Sequence, residues 1–324
     1  MWTAAGERLG GLKGHTKGVS DCAWDHGGGR GRYLATASDD TTVGVWDVER
    51  GAPLRFLKGH TSFVMCVKFH PEDSVIASGS FDETVRLWDT RTGGGPVRVL
   101  PAHSDPITAV DFVRDGRHMA SSSYDGLVRV WHVDTGRCVE TIMSESECAP
   151  VGCVRFSPAG NCLLTASQDA SLRLWAVRGA GAEGERGTAA PVRTWLGTGG
   201  EQFCSSAEFC LHHRGGGEGA AGHLVAAGGD DGRVRFWSLG NKHAALRGLP
   251  DAEKLRRGRD PVYVLEAAAA GAEGPGVGHA EGKPVLGVEF HQRAGAMVTA
   301  SADGTAKVWR LREELRQPVP SWVV

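Results

Sequence analysis

Three histidines stand beside the groups that could move a proton with them. His15, His60 and His103 each precede an aspartate (Asp40, Asp82, Asp125) in a stretch that also holds Ser or Thr and closes on Trp46, Trp88 or Trp131. Imidazole, carboxylate and hydroxyl are the groups of acid–base and nucleophilic catalysis. Buried polar groups also persist when each has its partner, which is a structural reason for the same set. We read the whole set as scaffold. No GxSxG, HExxH, P-loop, or GxGxxG between a strand and a helix occurs, so no enzyme motif competes with that reading and the chain is expected not to be an enzyme. His212 and His213 are adjacent, and neighbours on a strand face opposite sides. Lys254 to Arg259 (KLRRGR) is a short basic cluster in an insert and reads as a solvated loop, with nuclear import or a phosphate contact as the alternative.

The elements that must position these residues repeat. Asp40, Asp82, Asp125, Asp169, Asp231 and Asp303 each stand six residues before Trp46, Trp88, Trp131, Trp175, Trp237 and Trp309. Each pair closes one phrase: a small-residue strand, an Asp turn, then an alternating strand ending in Trp, as in SGSFDETVRLWD and TASQDASLRLWA. The first tryptophans recur about every 42 to 44 residues, the period of WD repeats. The predicted fold is all-β, a propeller of four-stranded blades. Unit boundaries fall at about 14–58, 59–101, 102–145, 146–195, 196–270 and 271–311, with a tail at 312–324. The last three units lack the histidine in this reading and are expected to be less tightly pinned. Inserts widen the spacing at 178–188 and 239–282, the second holding PVYVLEA as an outer strand and LEAAAAGAEGPGVGH as a flexible tail. Trp2 stands in phase with the repeat, so residues 1–13 read as a partial blade or a ring-closing strand. The expectation is six complete units plus this fragment, from a seven-bladed parent.

Composition narrows the function. The chain has 324 residues, is 41% hydrophobic and carries a formal net charge of −2, so it can bury a large core and has no global basic field for nucleic acid or anionic membrane. No apolar run approaches the roughly 20 residues of a membrane helix, and no signal peptide opens the chain, so it is expected to be soluble and intracellular. The eight cysteines (22, 66, 138, 148, 153, 162, 204, 210) form no CxxC pair. They read as small buried thiols rather than metal ligands, and no metal or cofactor is expected.

Residues 14–135 carry a closer likeness. The runs GHTKGVSDCAW with YLATASDD, LKGHTSFVMCVKFHPEDSVIASGSFDETVRLWD and LPAHSDPITAVDFVRDGRHMASSSYDGLVRVW resemble consecutive blades of the WD-repeat-containing protein 5 family, the propeller scaffold of histone H3 lysine-4 methyltransferase complexes. The likeness weakens through 150–238 and is loose afterwards. It sets the first complete unit against the family's second blade of seven, which supports a missing first blade. It implies a nuclear scaffold whose partners are methyltransferase subunits and the histone H3 tail, with no small-molecule substrate. It also implies an arginine seat in the central hole, since a guanidinium favours flat aromatic faces and several acceptors. Carried over by position, Gly18 and Ser20 line that slot, Asp39 stands at its rim, and Phe63, Cys66, Phe81 and Tyr124 form the surrounding surface with Phe203 and Cys204 opposite. The family's two Phe walls are replaced by Met65 and Ser206, a loss of two cation–π contacts worth roughly 0.5–2 kcal/mol each. A second family surface maps to Ala159, Cys162 and Leu174, of which only the Leu matches. The stretch from Ile76 to Arg91 also fits the pattern of propellers that dock the adaptor of cullin-type ubiquitin ligases, with Asp89 and Arg91 in its WDxR close.

Overall fold

In the computed structural model, the described residues are 10–26, 31–72, 75–92, 94–143, 149–177, 191–196, 206–211, 223–239, 261, 263–265, 279–291 and 296–310. Phe203, Cys204, His212, His213, the basic cluster 254–259, the insert 178–188, most of the insert 239–282 and the tail 312–324 lie outside them, as do residues 1–9. Residues 10–13 form no strand.

The strands are short and antiparallel, with turn residues between alternating or small-residue runs. In one compact unit, β1 (Val19–Trp24), β2 (Tyr33–Ser38), β3 (Thr42–Asp47) and β4 (Ala52–Lys58) form the first blade in chain order. The strands β5 (Val64–Phe69), β6 (Val75–Ser80), β7 (Thr84–Asp89) and β8 (Arg98–Pro101) form the second. The third is β9 (Ile107–Phe112), β10 (His118–Ser123), β11 (Leu127–His132) and β12 (Cys138–Met143), and β13 (Val151–Phe156) is the first strand of the fourth. The other unit holds β14 (Cys162–Ser167), β15 (Ser171–Ala176) and β16 (Pro191–Leu196), then β17 (Ser206–Leu211), β18 (His223–Gly228), β19 (Val234–Ser238) and β20 (Tyr263–Leu265), then β21 (Val285–His291), β22 (Ala296–Ser301) and β23 (Ala306–Arg310). These are six blades of a β-propeller, and the strand expected in PVYVLEA is β20, paired with β19.

Blades pack face to face, which is why their middle strands read as unbroken small residues. Every residue of β6 after Val75 is buried, and a Cβ on Gly79 would stand 2.4 Å from Ile107 of the next blade. Ala35, Ala37 and Val45 of the first blade join Val67, Phe69 and Ile76 of the second in one core, and Ala77, Val85 and Leu87 join Val110, Phe112 and Met119 in the next. Burial of this apolar area is the main stabilising term.

Polar bonds between blades were not legible in the sequence. The Val67 amide donates to Asp21 at 2.9 Å, and the Phe156 amide to Asp111 at 2.8 Å. The His70 Nε2 donates to the Gly116 carbonyl at 3.0 Å, and Arg98 reaches the carbonyls of Asp134 and Thr135 at 2.7 and 3.1 Å. In the second unit the Val288 amide donates to Ser206 at 3.0 Å. Burial pushes the Asp21 carboxyl up, against the opposing pull of the Val67 amide and of Arg155 and Lys68.

The thiols correct one expectation. Cys66, Cys153, Cys162 and Cys210 are buried, but Cys22 and Cys138 are exposed, because each sits where its strand turns a face to solvent. Burial raises the thiol values of Cys66, Cys162 and Cys210, so those three resist ionisation.

Candidate functional site

The histidine sets form closed relays inside the blades. Trp88 Nε1 can only donate, and it meets Ser78 Oγ at 2.8 Å. The Ser78 hydroxyl hydrogen is then free to point at His60 Nε2, also at 2.8 Å. This fixes Nε2 as acceptor and Nδ1–H as donor, and Nδ1 lies 2.8 Å from Asp82. The first blade repeats the line through Trp46, Thr36, His15 and Asp40, and the third through Trp131, Ser121, His103 and Asp125. The connectivity of Ser78, His60 and Asp82 is that of a catalytic triad. What removes the chemistry is burial: Ser78 and Ser121 are fully buried, and a lone pair of each oxygen is spent on the indole.

The sixth blade corrects the expectation that it has no histidine. His279 meets Asp303 at 3.3 Å and Thr299 at 2.7 Å, and Trp309 Nε1 donates to the same Thr299 at 2.8 Å. The signal was Gly278-His279, 24 residues before Asp303, inside the stretch read as a flexible tail. In the blades of Asp169 and Asp231, arginine does the pinning. Arg173 reaches Asp169 at 2.5 Å and Ser167 at 3.3 Å, and Arg235 grips both oxygens of Asp231 at 3.1 and 2.6 Å. Both arginines stand four residues after their Asp, the position that places them across the strand turn. Trp175 keeps its hydroxyl partner, Thr165, at 2.9 Å.

These relays make acid stability predictable. Burial holds the His103 and His279 imidazoles below the ordinary histidine value, against the pull of Asp125 and Asp303. The unfolded chain therefore binds more protons below pH of about 6.5. The contribution of these two histidines is fully present above that pH and is lost as pH falls through their lower folded values. Asp40, Asp82 and Asp303 titrate lower still: burial raises them, but hydrogen bonds from Thr, His and backbone amides outweigh it and hold them below the carboxylate range. Their share is lost only below pH of about 4. Urea midpoints are expected to decline between pH 6.5 and 5 and to fall more steeply below 4. A midpoint that stays flat from pH 7 to 5 contradicts the assignment.

Three aromatic rings gather on the turns of the first unit. Phe63 is 42% exposed, Phe81 40% and Tyr124 36%. The ring centroids of Phe63 and Phe81 are 5.9 Å apart and those of Phe81 and Tyr124 6.5 Å, both edge-to-face. Repeat geometry sets the row: Phe81 donates its amide to the Phe63 carbonyl, Tyr124 to the Pro106 carbonyl, and Asp39 to the Gly18 carbonyl. Ser20 Oγ donates to Asp39 Oδ1 at 3.1 Å, and a Cβ on Gly18 would stand 3.1 Å from Asp39 Oδ2. The strand register skips Ser20 in β1, Met65 in β5 and Thr108 in β9, so each is a bulge residue turned out of its ladder. Thr108 spends its hydroxyl on the Val151 carbonyl at 2.6 Å, while Met65 is half-buried and Ser20 exposed.

Other assigned positions do not join this surface. Cys66 is 4% exposed and belongs to the core between the second and third blades, so it cannot touch a peptide. Ser206 is buried and bonded to the Val288 amide. Leu174 and Cys162 are buried, so the second surface is not formed by them. Asp89 and Arg91 form a two-pronged ion pair at 3.2 and 3.1 Å on an exposed turn.

The family profile described as WD domain, G-beta repeat matches residues 6–47, 51–89, 94–132, 136–176, 220–238 and 276–310, more than half of the chain. The chain belongs to the WD-repeat family. Relatives share local stretches with this WD-repeat chain. They include the probable coatomer subunit beta' of Schizosaccharomyces pombe (40% identity over 79 residues, 24% of this chain), the nuclear distribution protein PAC1 of Komagataella phaffii (47% over 64, 18%) and the transcription initiation factor TFIID subunit 5 of Caenorhabditis elegans (44% over 64, 20%). The matches span 10–13% of those proteins' lengths. WD-repeat propellers generally serve as scaffolds for protein partners.

Proposed function

We propose that this WD-repeat chain is a nuclear scaffold subunit of a histone H3 lysine-4 methyltransferase complex that docks an extended, arginine-bearing peptide on the first unit. The observation that carries the reading is the exposed row of Phe63, Phe81 and Tyr124. The likeness of residues 14–135 to that scaffold family supports the choice of partner, and the Asp39 carboxylate, bonded by Ser20 Oγ on the first blade, supplies an acceptor for a guanidinium. Rigid exposed aromatics are the usual anchors of a peptide interface.

Phe81 is the middle ring, so it is the anchor to remove. Phe81→Ala is expected to weaken binding of a histone H3 N-terminal peptide about tenfold or more, with little change in urea midpoint because the ring is half outside. Ser20→Trp is expected to block the same surface. Isothermal titration calorimetry reads both, and wild-type affinity in the two variants would sink the proposal. A second reading, a substrate receptor of a cullin-type ligase, is favoured by the exposed Arg91 paired with Asp89. Purification of the tagged chain separates the two by which subunits accompany it, methyltransferase or ligase adaptor.

A further inference from the structure

One face of the aromatic row is already taken by the chain itself. Lys17 Nζ lies 5.5 Å from the centre of the Phe63 ring, with Phe81 edge-on to that ring at 5.9 Å. Lys17 directly precedes Gly18, whose carbonyl accepts the Asp39 amide, so the backbone that carries the lysine is fixed beside the surface. We propose that Lys17 is a specificity-determining residue of this surface: an internal cation seated on Phe63, which an arriving arginine or lysine must displace.

An aromatic ring offers a cation its electron-rich face, and that seat holds one charge at a time. A peptide guanidinium aimed at Phe63 therefore competes with the amine and meets its repulsion, which salt screens. Tyr124, two rings away across Phe81, carries no such tenant among the described cation–π contacts. The surface is thus graded. A peptide with an acidic or neutral residue over Phe63 and its arginine toward Tyr124 is favoured over one with the order reversed. The inference rests on the peptide-docking reading above.

The test uses the full chain and two readouts. The first needs no peptide: in lysine-labelled protein, the Lys17 ε-methylene protons are expected upfield of exposed lysines by ring current, and to return in Phe63→Leu. Absence of that displacement overturns the proposal. The second is calorimetry with the histone H3 N-terminal peptide on wild type, Lys17→Gln, Phe63→Leu and the double variant. Lys17→Gln is expected to tighten binding about two- to fivefold, the equivalent of an exposed cation–π contact, and to bring no gain in the Phe63→Leu background. A gain that persists in that background means remote charge alone and overturns the seat. An unchanged affinity overturns it as well. A ring-current displacement with no peptide bound by any variant overturns the docking reading itself, and the specificity role of Lys17 with it.

Discussion

Replacing Asp82 by Ala is expected to cost about 3–5 kcal/mol, the range for breaking one side of a buried charged network. Its two oxygens accept four hydrogen bonds: His60 Nδ1 at 2.8 Å, the Thr61 amide at 3.0 Å, and the amide and hydroxyl of Thr84 at 3.1 and 2.6 Å. The side chain is only 6% exposed, so water cannot take over every donor that the deletion strands. Arg86, 3.6 Å away, loses its carboxylate as well. Asp82→Asn keeps an acceptor on one oxygen and is expected to cost less than half as much. Urea denaturation measures the loss, and native-state hydrogen exchange locates it: amides of β5–β8 lose protection while those of β17–β19 keep theirs. A cost under 1 kcal/mol for Asp82→Ala would show that the relay contributes little beyond its packing.

The sequence laid out the blades because each carries its own local instructions. Small residues of β6, an Asp turn and the alternation of β7 up to Trp88 specify a hairpin without reference to the rest of the chain. Hydroxyl, imidazole and carboxylate could be assigned as buried partners for the same reason, since repetition places them in register. Phe63, Phe81 and Tyr124 were named only through the likeness to the scaffold family; that their rings meet edge to face is a finding of the structure. Contacts between blades were not legible. Nothing in the spelling of β1 says that Asp21 accepts the Val67 amide 46 residues on, or that Ser206 is spent on Val288 rather than free to line a slot. Cys66, placed on the peptide surface only by the family likeness, lies in the core between the second and third blades, where the reading of the cysteines as small buried thiols puts it. His279 was hidden by its surroundings: a run of Ala and Gly masked the Gly-His pair that opens the sixth blade's relay.

The blades pinned by arginine rather than by a histidine relay turn a sequence expectation into a second large effect. Loss of the imidazole was expected to loosen them, yet Arg173 occupies the same charge relation to Asp169, its side chain 9% exposed and bonded to both Asp169 and Ser167. Burial raises the Asp169 carboxyl, but Ser171 and Arg173 outweigh this and hold it below the usual range. Arg173→Met keeps the apolar stem and removes the charge, leaving a carboxylate held by Ser171 alone. The expected cost is about 3 kcal/mol, the low end for a buried pair because Asp169 is still 23% exposed. Arg173→Lys keeps the charge but not the planar fork, and is expected to fall between. The double variant Arg173→Met with Asp169→Asn is expected to recover most of the loss, because the penalty lies in the stranded charge rather than in the missing bond. The sign of the pH response separates the two kinds of blade. An arginine does not titrate in this range, so the Arg173 blade carries no decline between pH 6.5 and 5, and protection of β14–β15 amides should hold over that interval while that of β10–β11, around His103, falls. Equal loss in both segments would mean that the acid response is global and not set by which cation pins the blade.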